Sequence, residues 1–196
     1  MSLLRTFVCP INSGLTRKSC PLGSYLSSLN SFSQISANYK KHFTASAVII
    51  EQGYILLVHH KRIGAWLPPG GHVEENELPH QTAIREAKEE TGLNVSIISK
   101  NLPVTVDAEA FFLPEPLCIH AVKATEAKGT FYHIDLAYLC HLDSQNGQTA
   151  ILPQILINHE IHNASWVELG KLEEVPLAKN VIEMVALAKS KLKLVE

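Results

Sequence analysis

From Phe43 onward the chain alternates short apolar runs with polar turns. Phe43 to Ile50 is apolar and β-branched, Glu51-Gln52-Gly53 reads as a turn, and Tyr54 to His60 is a second apolar run. Two such runs across a short turn predict a β-hairpin. Lys61 to Gly71, rich in Gly and Pro, predicts a loop. The period then changes. His80 to Thr91 predicts a helix with Ala83, Ile84, Ala87 and Thr91 as its inner stripe and Gly92 placed to stop it. Strand-like runs follow at 93–99, 117–122, 131–142 and 165–169. Asn180 to Leu194 predicts a second helix, with Val181, Met184, Val185 and Leu187 facing inward. Lys189, Lys191 and Lys193 sit near its C-terminal end, where the helix dipole favours cations. Strands with a few helices in mixed order predict an α/β or α+β sandwich.

A chain of 196 residues, 46% apolar and 18% charged, suits one domain with a core large enough to do without disulfides. No apolar run is long enough for a membrane helix, and the net charge of −2 marks neither a nucleic-acid binder nor an acidic solvating chain. That total conceals an asymmetry. Residues 1–50 carry five basic groups and no acid, whereas residues 51–196 carry 12 basic and 19 acidic groups. Nine serines fall within residues 1–40. Residues 1–41 are therefore expected to be an N-terminal extension, either an arm or a targeting segment, ahead of a domain over 42–196. A cytoplasmic location is expected, or an organelle matrix if residues 1–40 are a transit peptide. The four cysteines, Cys9, Cys20, Cys118 and Cys140, form no C-x-x-C pair and are expected to be reduced thiols.

The chemistry concentrates between Gly70 and Leu93. On the predicted helix, Glu86, Glu89 and Glu90 stand at i, i+3 and i+4 and share one face, away from the Ala83/Ala87/Thr91 stripe. Like charges at that spacing repel, so an acidic cluster is either a solvated face, with Arg85 and Lys88 as local partners, or a site for a hard divalent cation. Upstream lies Trp66-Leu67-Pro68-Pro69-Gly70-Gly71-His72-Val73-Glu74, where two glycines permit close backbone approach. Gly71, five residues, Glu77, seven residues, then Arg85-Glu86-Ala87-Lys88-Glu89-Glu90-Thr91-Gly92-Leu93 resembles the Nudix box, G-x5-E-x7-R-E-U-x-E-E-x-G-U with U apolar. Ala87 is smaller than the usual apolar residue at its position. The wider resemblance runs from about His42 to Leu187 and includes Trp166-Val167-Glu168-Leu169. The N-terminal extension lies outside it.

The resemblance implies a Nudix-type α/β/α sandwich with a mixed central sheet, a box helix and a C-terminal helix. It implies an enzyme that hydrolyses a pyrophosphate bond in a nucleoside diphosphate linked to another group, using Mg²⁺ or Mn²⁺. Carried over residue by residue, Glu86, Glu89 and Glu90 become the metal ligands with the carbonyl of Gly70 as a further one, and Arg85 pairs with Glu77 across loop and helix. The base is either a box glutamate or an acid elsewhere, for which Glu160 and Asp135 are the candidates. His72 and Gly71, at the glycine turn, are candidates for holding substrate phosphate. His120, His133 and His141, in strand runs, are expected to make ordinary hydrogen bonds, and Phe111-Phe112 either packs in the core or stacks on a base. Selectivity is expected from the loops at 102–116 and 124–130. The partner is a small nucleotide-type molecule, with no membrane and with nucleic acid disfavoured by the acidic domain; a homodimer is compatible with the family. The alternatives are a non-catalytic nucleotide-binding regulatory domain and an RNA-processing Nudix enzyme. An isomerase of isopentenyl diphosphate, which shares the fold, would need a cysteine, for which Cys118 is the mid-chain candidate.

Overall fold

A computed structural model describes residues 39–99, 109–126, 129–143, 152–159 and 161–193. The chain divides into two units, Met1–Tyr39 and Lys40–Glu196, and the fold below is that of the second. Its strands are β1 (Lys40–Glu51), β2 (Tyr54–His60), β3 (Ala65–Leu67), β4 (Gly70–His72), β5 (Val95–Ile97), β6 (Cys118–Glu126), β7 (Gly129–Leu142) and β8 (Ile161–Glu168). The helices are α1 (Pro79–Thr91) and α2 (Val181–Leu192), with a short 3₁₀ turn at Leu172–Glu174.

The predicted hairpin forms, but only at its turn. Gln52 and Gly53 both take positive φ, 50° and 83°, as a two-residue hairpin turn of matching twist requires. β1 and β2 then pair only at Ile50–Ile55 and Glu51–Tyr54 before diverging. β1 continues between β4, antiparallel, and β7, parallel. β2 instead runs antiparallel between β3 and β8. β7 spans the sheet, pairing with β6 along its first part and with β5 at Leu142–Cys140. The sheet is mixed, as expected.

The Gly/Pro-rich segment at 61–71 is not a plain loop, because it contains β3 and most of β4. Strands of three residues are too short to show a period, so the turn residues around them dominate the sequence pattern. The 124–130 segment likewise lies largely in β6 and β7, apart from residues 127–128, which are outside the described residues.

Each helix covers one face of the sheet. Alternate residues of β1 and β7 point to opposite sides. Ala45, Ala47, Ile49, Tyr138 and Cys140 pack with Ala83 and Ala87 of α1. Val48, Ala137 and Leu139, with Ile55 and Leu57 of β2, pack with Val181, Met184, Val185 and Ala188 of α2. Each fully buried Val, Ile or Leu here contributes about 1.5–3 kcal/mol of transfer free energy. Leu187 is a correction: it is exposed, and Ala188 takes the inward position. One residue is about 100° of helix, so Leu187 falls just off the stripe set by Val181, Met184 and Val185. α2 ends at Leu192, and Leu194 lies outside the described residues.

α1 begins at Pro79, whose missing N–H costs nothing in a first turn. The Gln81 side chain accepts from the backbone N–H of Leu78 at 2.9 Å. Gly92 closes the helix in the left-handed conformation, φ 75°, with its N–H on the carbonyl of Lys88.

Candidate active site

Arg85 organises the carboxylates. Its Nε and Nη2 donate to Oε1 and Oε2 of Glu77 at 2.9 and 3.0 Å, a bidentate pair that ties the loop before α1 to the helix. Nη1 donates to Glu86 Oε1 at 2.8 Å and to Glu89 Oε2 at 3.0 Å. Nη2 also reaches the carbonyl of His72 at 3.3 Å, so the same guanidinium anchors β4. Glu86 and Glu89 thus converge on one nitrogen. Glu90 is buried at 3% exposure. A carboxylate so placed is costly unless hydrogen-bonded, and its Oε2 accepts the N–H of Gly70 at 3.0 Å.

The glycine pair is where α1 and the sheet edge meet. A Cβ on Gly71 would stand 2.1 Å from Glu86 Oε1, and one on Gly70 would stand 2.6 Å from the carbonyl oxygen of Ala45. The missing side chains are what let the Glu86 carboxylate lie against the β4 backbone. Glu86, Glu89 and Glu90 offer hard oxygen beside bare backbone, and that chemistry suits Mg²⁺ or Mn²⁺.

Hydrogen bonds from Arg85 hold the Glu77 carboxyl below the usual carboxylate range, against the opposing effect of burial, and the Thr82 hydroxyl adds to them at 2.7 Å. Arg85 is in turn raised, first by its bond to Glu77. A carboxyl depressed on folding contributes stability that is fully present above its unfolded value and is lost as pH falls through the folded one. Glu77→Gln is therefore expected to cost about 1.5–3 kcal/mol at neutral pH. The gap from wild type should narrow as pH drops below 4.5, the ordinary carboxyl value. Denaturant midpoints at stepped pH measure it; a gap that stays constant down to acid would refute the assignment.

On the α2 side of the sheet lies a cavity of about 430 Å³. Its floor is the polar stripe Thr44 and Ser46 of β1 with His133 and Asp135 of β7, and its walls include Gly70, Gly71, His72, His120, Leu177 and Met184. The glycine pair therefore borders both the cavity and the carboxylates. Asp135 lies in the floor, accepting from Thr44 Oγ1 at 2.9 Å and Ser46 Oγ at 2.8 Å and bonding His120 Nε2 at 3.0 Å. The other ring nitrogen of His120 meets the Asn180 amide at 3.1 Å, at the start of α2.

Gly70, Gly71, His72, Glu77, Arg85, Glu86, Glu89 and Glu90 are thus brought into one neighbourhood, and Asp135 faces the adjoining cavity. Glu160 lies outside the described residues, as do residues 100–108 of the 102–116 loop. Phe111 and Phe112 are exposed rather than in the core and do not line the cavity. The sequence pattern marks His120 and His133 as ordinary strand histidines, yet both line the cavity, and Thr44, Ser46 and Asn180 escape that pattern altogether. The available signal is the polar alternation His42-x-Thr44-x-Ser46 within an otherwise apolar strand.

A mixed sheet between two helices, with the Arg–Glu helix clasped to a glycine pair, is the Nudix-type α/β/α sandwich. The NUDIX domain family model matches residues 40–187, and the chain belongs to that family. A protein of Lactococcus lactis subsp. cremoris (strain MG1363), named "Probable DHNTP pyrophosphohydrolase", is 32% identical over 117 residues, 60% of this chain and 64% of that protein. A Bacillus subtilis (strain 168) relative is 39% identical over 61 residues, 30% of this chain and 41% of that protein. The chain thus spans less than two thirds of the length of these curated relatives. A Nudix-family hydrolase of Clostridium perfringens is 28% identical with a TM-score of 0.57, over 79% of this chain and 98% of that one. An Ap4A hydrolase of C. elegans shares the fold at 20% identity and a TM-score of 0.53, over 78% of this chain and 98% of that one. No helix among the described residues is long and apolar enough to cross a membrane.

Proposed function

We propose that this chain hydrolyses a pyrophosphate bond in a nucleoside diphosphate linked to another group. Mg²⁺ or Mn²⁺ would be held by Glu86, Glu89, Glu90 and the carbonyl of Gly70, within a domain over 42–196 that follows an N-terminal extension. The reading is carried by one observation: the glycine pair of β4 stands between the box carboxylates on one side and a cavity of about 430 Å³ on the other, a volume in the range of small-molecule sites. Divalent ions bound there would neutralise the anhydride and lower the pKa of an attacking water. The chain's own groups do the rest. Arg85 and Glu77 fix β4 against α1, so the oxygen donors are set before substrate arrives. His72, with Gly71 beside it, is the candidate for holding substrate phosphate. Arg62, Lys123 and Lys179 line the cavity and favour an anionic guest.

Asp135 is the described acid nearest to a base in position, but three donors already engage its oxygens, which makes it a positioning group for His120 and the floor hydroxyls. Glu160 stands as the alternative base. The name of the Lactococcus relative supports pyrophosphate cleavage, with a DHNTP-like molecule among the first substrates to test. An isomerase reading is disfavoured because burial, and then the Asp135 charge, push the Cys118 thiol up, away from the reactive thiolate.

A panel of nucleoside diphosphate derivatives and DHNTP with Mg²⁺ tests the proposal. A nucleoside diphosphate derivative is expected to give two phosphate monoesters, and DHNTP to give a phosphate ester and inorganic pyrophosphate. A chelator is expected to abolish turnover, and Mg²⁺ or Mn²⁺ to restore it. Turnover that survives chelation, or a panel left uncut, would overturn it.

A further inference from the structure

Beside the oxygen donors stands a cluster of different chemistry. His42, His72 and His133 each offer a ring nitrogen, and these nitrogens all lie within 4.8 Å of one another. Strand register puts them there. His42 and His133 are partners across the parallel β1–β7 pair, and His72 of β4 is the partner of Thr44, two residues along β1 from His42. Side chains two apart share a face, so all three rings stand on the cavity side. Their centroids lie 4.9 to 6.2 Å apart, and Phe131 packs on His42 at 4.9 Å and on His133 at 5.1 Å. Ring stacking alone accounts for neighbouring imidazoles. It does not require the nitrogens of three strands to converge.

Three imidazoles are a poor set for Mg²⁺, which prefers oxygen, and a good one for Zn²⁺, Co²⁺ or Ni²⁺. We propose that His42, His72 and His133 form a second metal centre, separate from the carboxylates of α1, which takes one borderline transition-metal dication. An ion held tetrahedrally at about 2.1 Å from each nitrogen sets those nitrogens about 3.4 Å apart. Side-chain torsions of an exposed His72 and a partly exposed His42 can supply that closure. His72 and His133 line the cavity, so the fourth coordination position faces it and takes water or an oxygen anion. His72 is common to both centres in a physical sense: its ring belongs to the histidine cluster, while its carbonyl is held by Arg85 at 3.3 Å.

The centre can be tested without any assay of turnover. The full chain, free of an affinity tag and stripped by chelator, is titrated with Co²⁺ in excess Mg²⁺, which occupies the oxygen donors. The expected result is one Co²⁺ per chain, with the intense visible absorption of four-coordinate cobalt, displaced by Zn²⁺. His72→Ala, at an exposed strand end, should weaken Co²⁺ at least tenfold with the circular-dichroism spectrum unchanged, and His133→Gln should do the same. Glu89→Gln should leave the titration as in wild type. Absence of stoichiometric Co²⁺, binding indifferent to both histidine variants, or binding lost in Glu89→Gln would each overturn the proposal.

Discussion

Glu89→Gln is expected to lower kcat by about 10³-fold while the thermal midpoint stays within about 2 °C of wild type. The separation of the two effects follows from where the side chain stands. Glu89 is 53% exposed and makes one pair with Arg85, at i,i+4 spacing, and such surface pairs contribute a few tenths of a kcal/mol. Gln has the same shape and lacks only the charge. As a ligand to a metal that neutralises the anhydride, the lost charge costs several kcal/mol in the transition state. Every loss of about 1.4 kcal/mol there is tenfold in rate. Glu90→Gln is a less clean variant. Glu90 is buried and its carboxylate accepts the Gly70 N–H, so an amide there disturbs β4 as well, and stability and rate should fall together. Steady-state kinetics and a thermal melt on the Glu89 variant decide the matter. Wild-type kcat with an intact fold would remove Glu89 from the ligand set, and with it the proposal that the three acids act as one.

The elements that position these acids are legible to different degrees, for physical reasons. α1 can be read from the chain because its signals are local: an apolar stripe at helical spacing and a glycine at the end. The glutamates fall on one face by arithmetic of the same helix, and the resemblance already implies that Glu77 and Arg85 pair across loop and helix. β3 and β4 cannot be read, since three-residue strands carry no period and exist only because β1 and β2 offer them edges. The parallel pairing of β1 with β7 is equally invisible, because its partners are far apart in the chain, as Thr44 and Asp135 are at a separation of 91. That pairing is what assembles the cavity floor and the histidine cluster. His42, Thr44, Ser46, His133 and Asp135 each look like an isolated polar interruption of an apolar strand until the register is known. Leu187 shows the limit of stripe reading at close range, where one residue's rotation separates buried from exposed.

The glycine pair yields the most discriminating result, because two adjacent and chemically identical substitutions should fail in different ways. Neither glycine takes a positive φ, so what each requires is space rather than an unusual backbone. At Gly70 the added Cβ meets the β1 backbone, 2.6 Å from the carbonyl oxygen of Ala45 and 2.8 Å from Cα of Ser46. Backbone in a central strand cannot step aside, so Gly70→Ala should destabilise the fold by about 1–3 kcal/mol, as overpacking does. At Gly71 the three atoms nearest to the added Cβ all belong to the Glu86 carboxylate, with Oε1 at 2.1 Å. That group is the end of a flexible side chain and can rotate away at little cost to the fold. In doing so it leaves its 2.8 Å contact with Arg85 and its place beside the glycine turn. A displacement of about 1 Å in a reacting constellation costs on the order of 10²-fold in rate. Gly71→Ala should therefore keep its melting temperature and lose turnover by about that factor, whereas Gly70→Ala should lose melting temperature first. If Gly71→Ala retains both, the Glu86 carboxylate does not need the position that the bare backbone gives it, and the glycine pair is there for the strand edge alone.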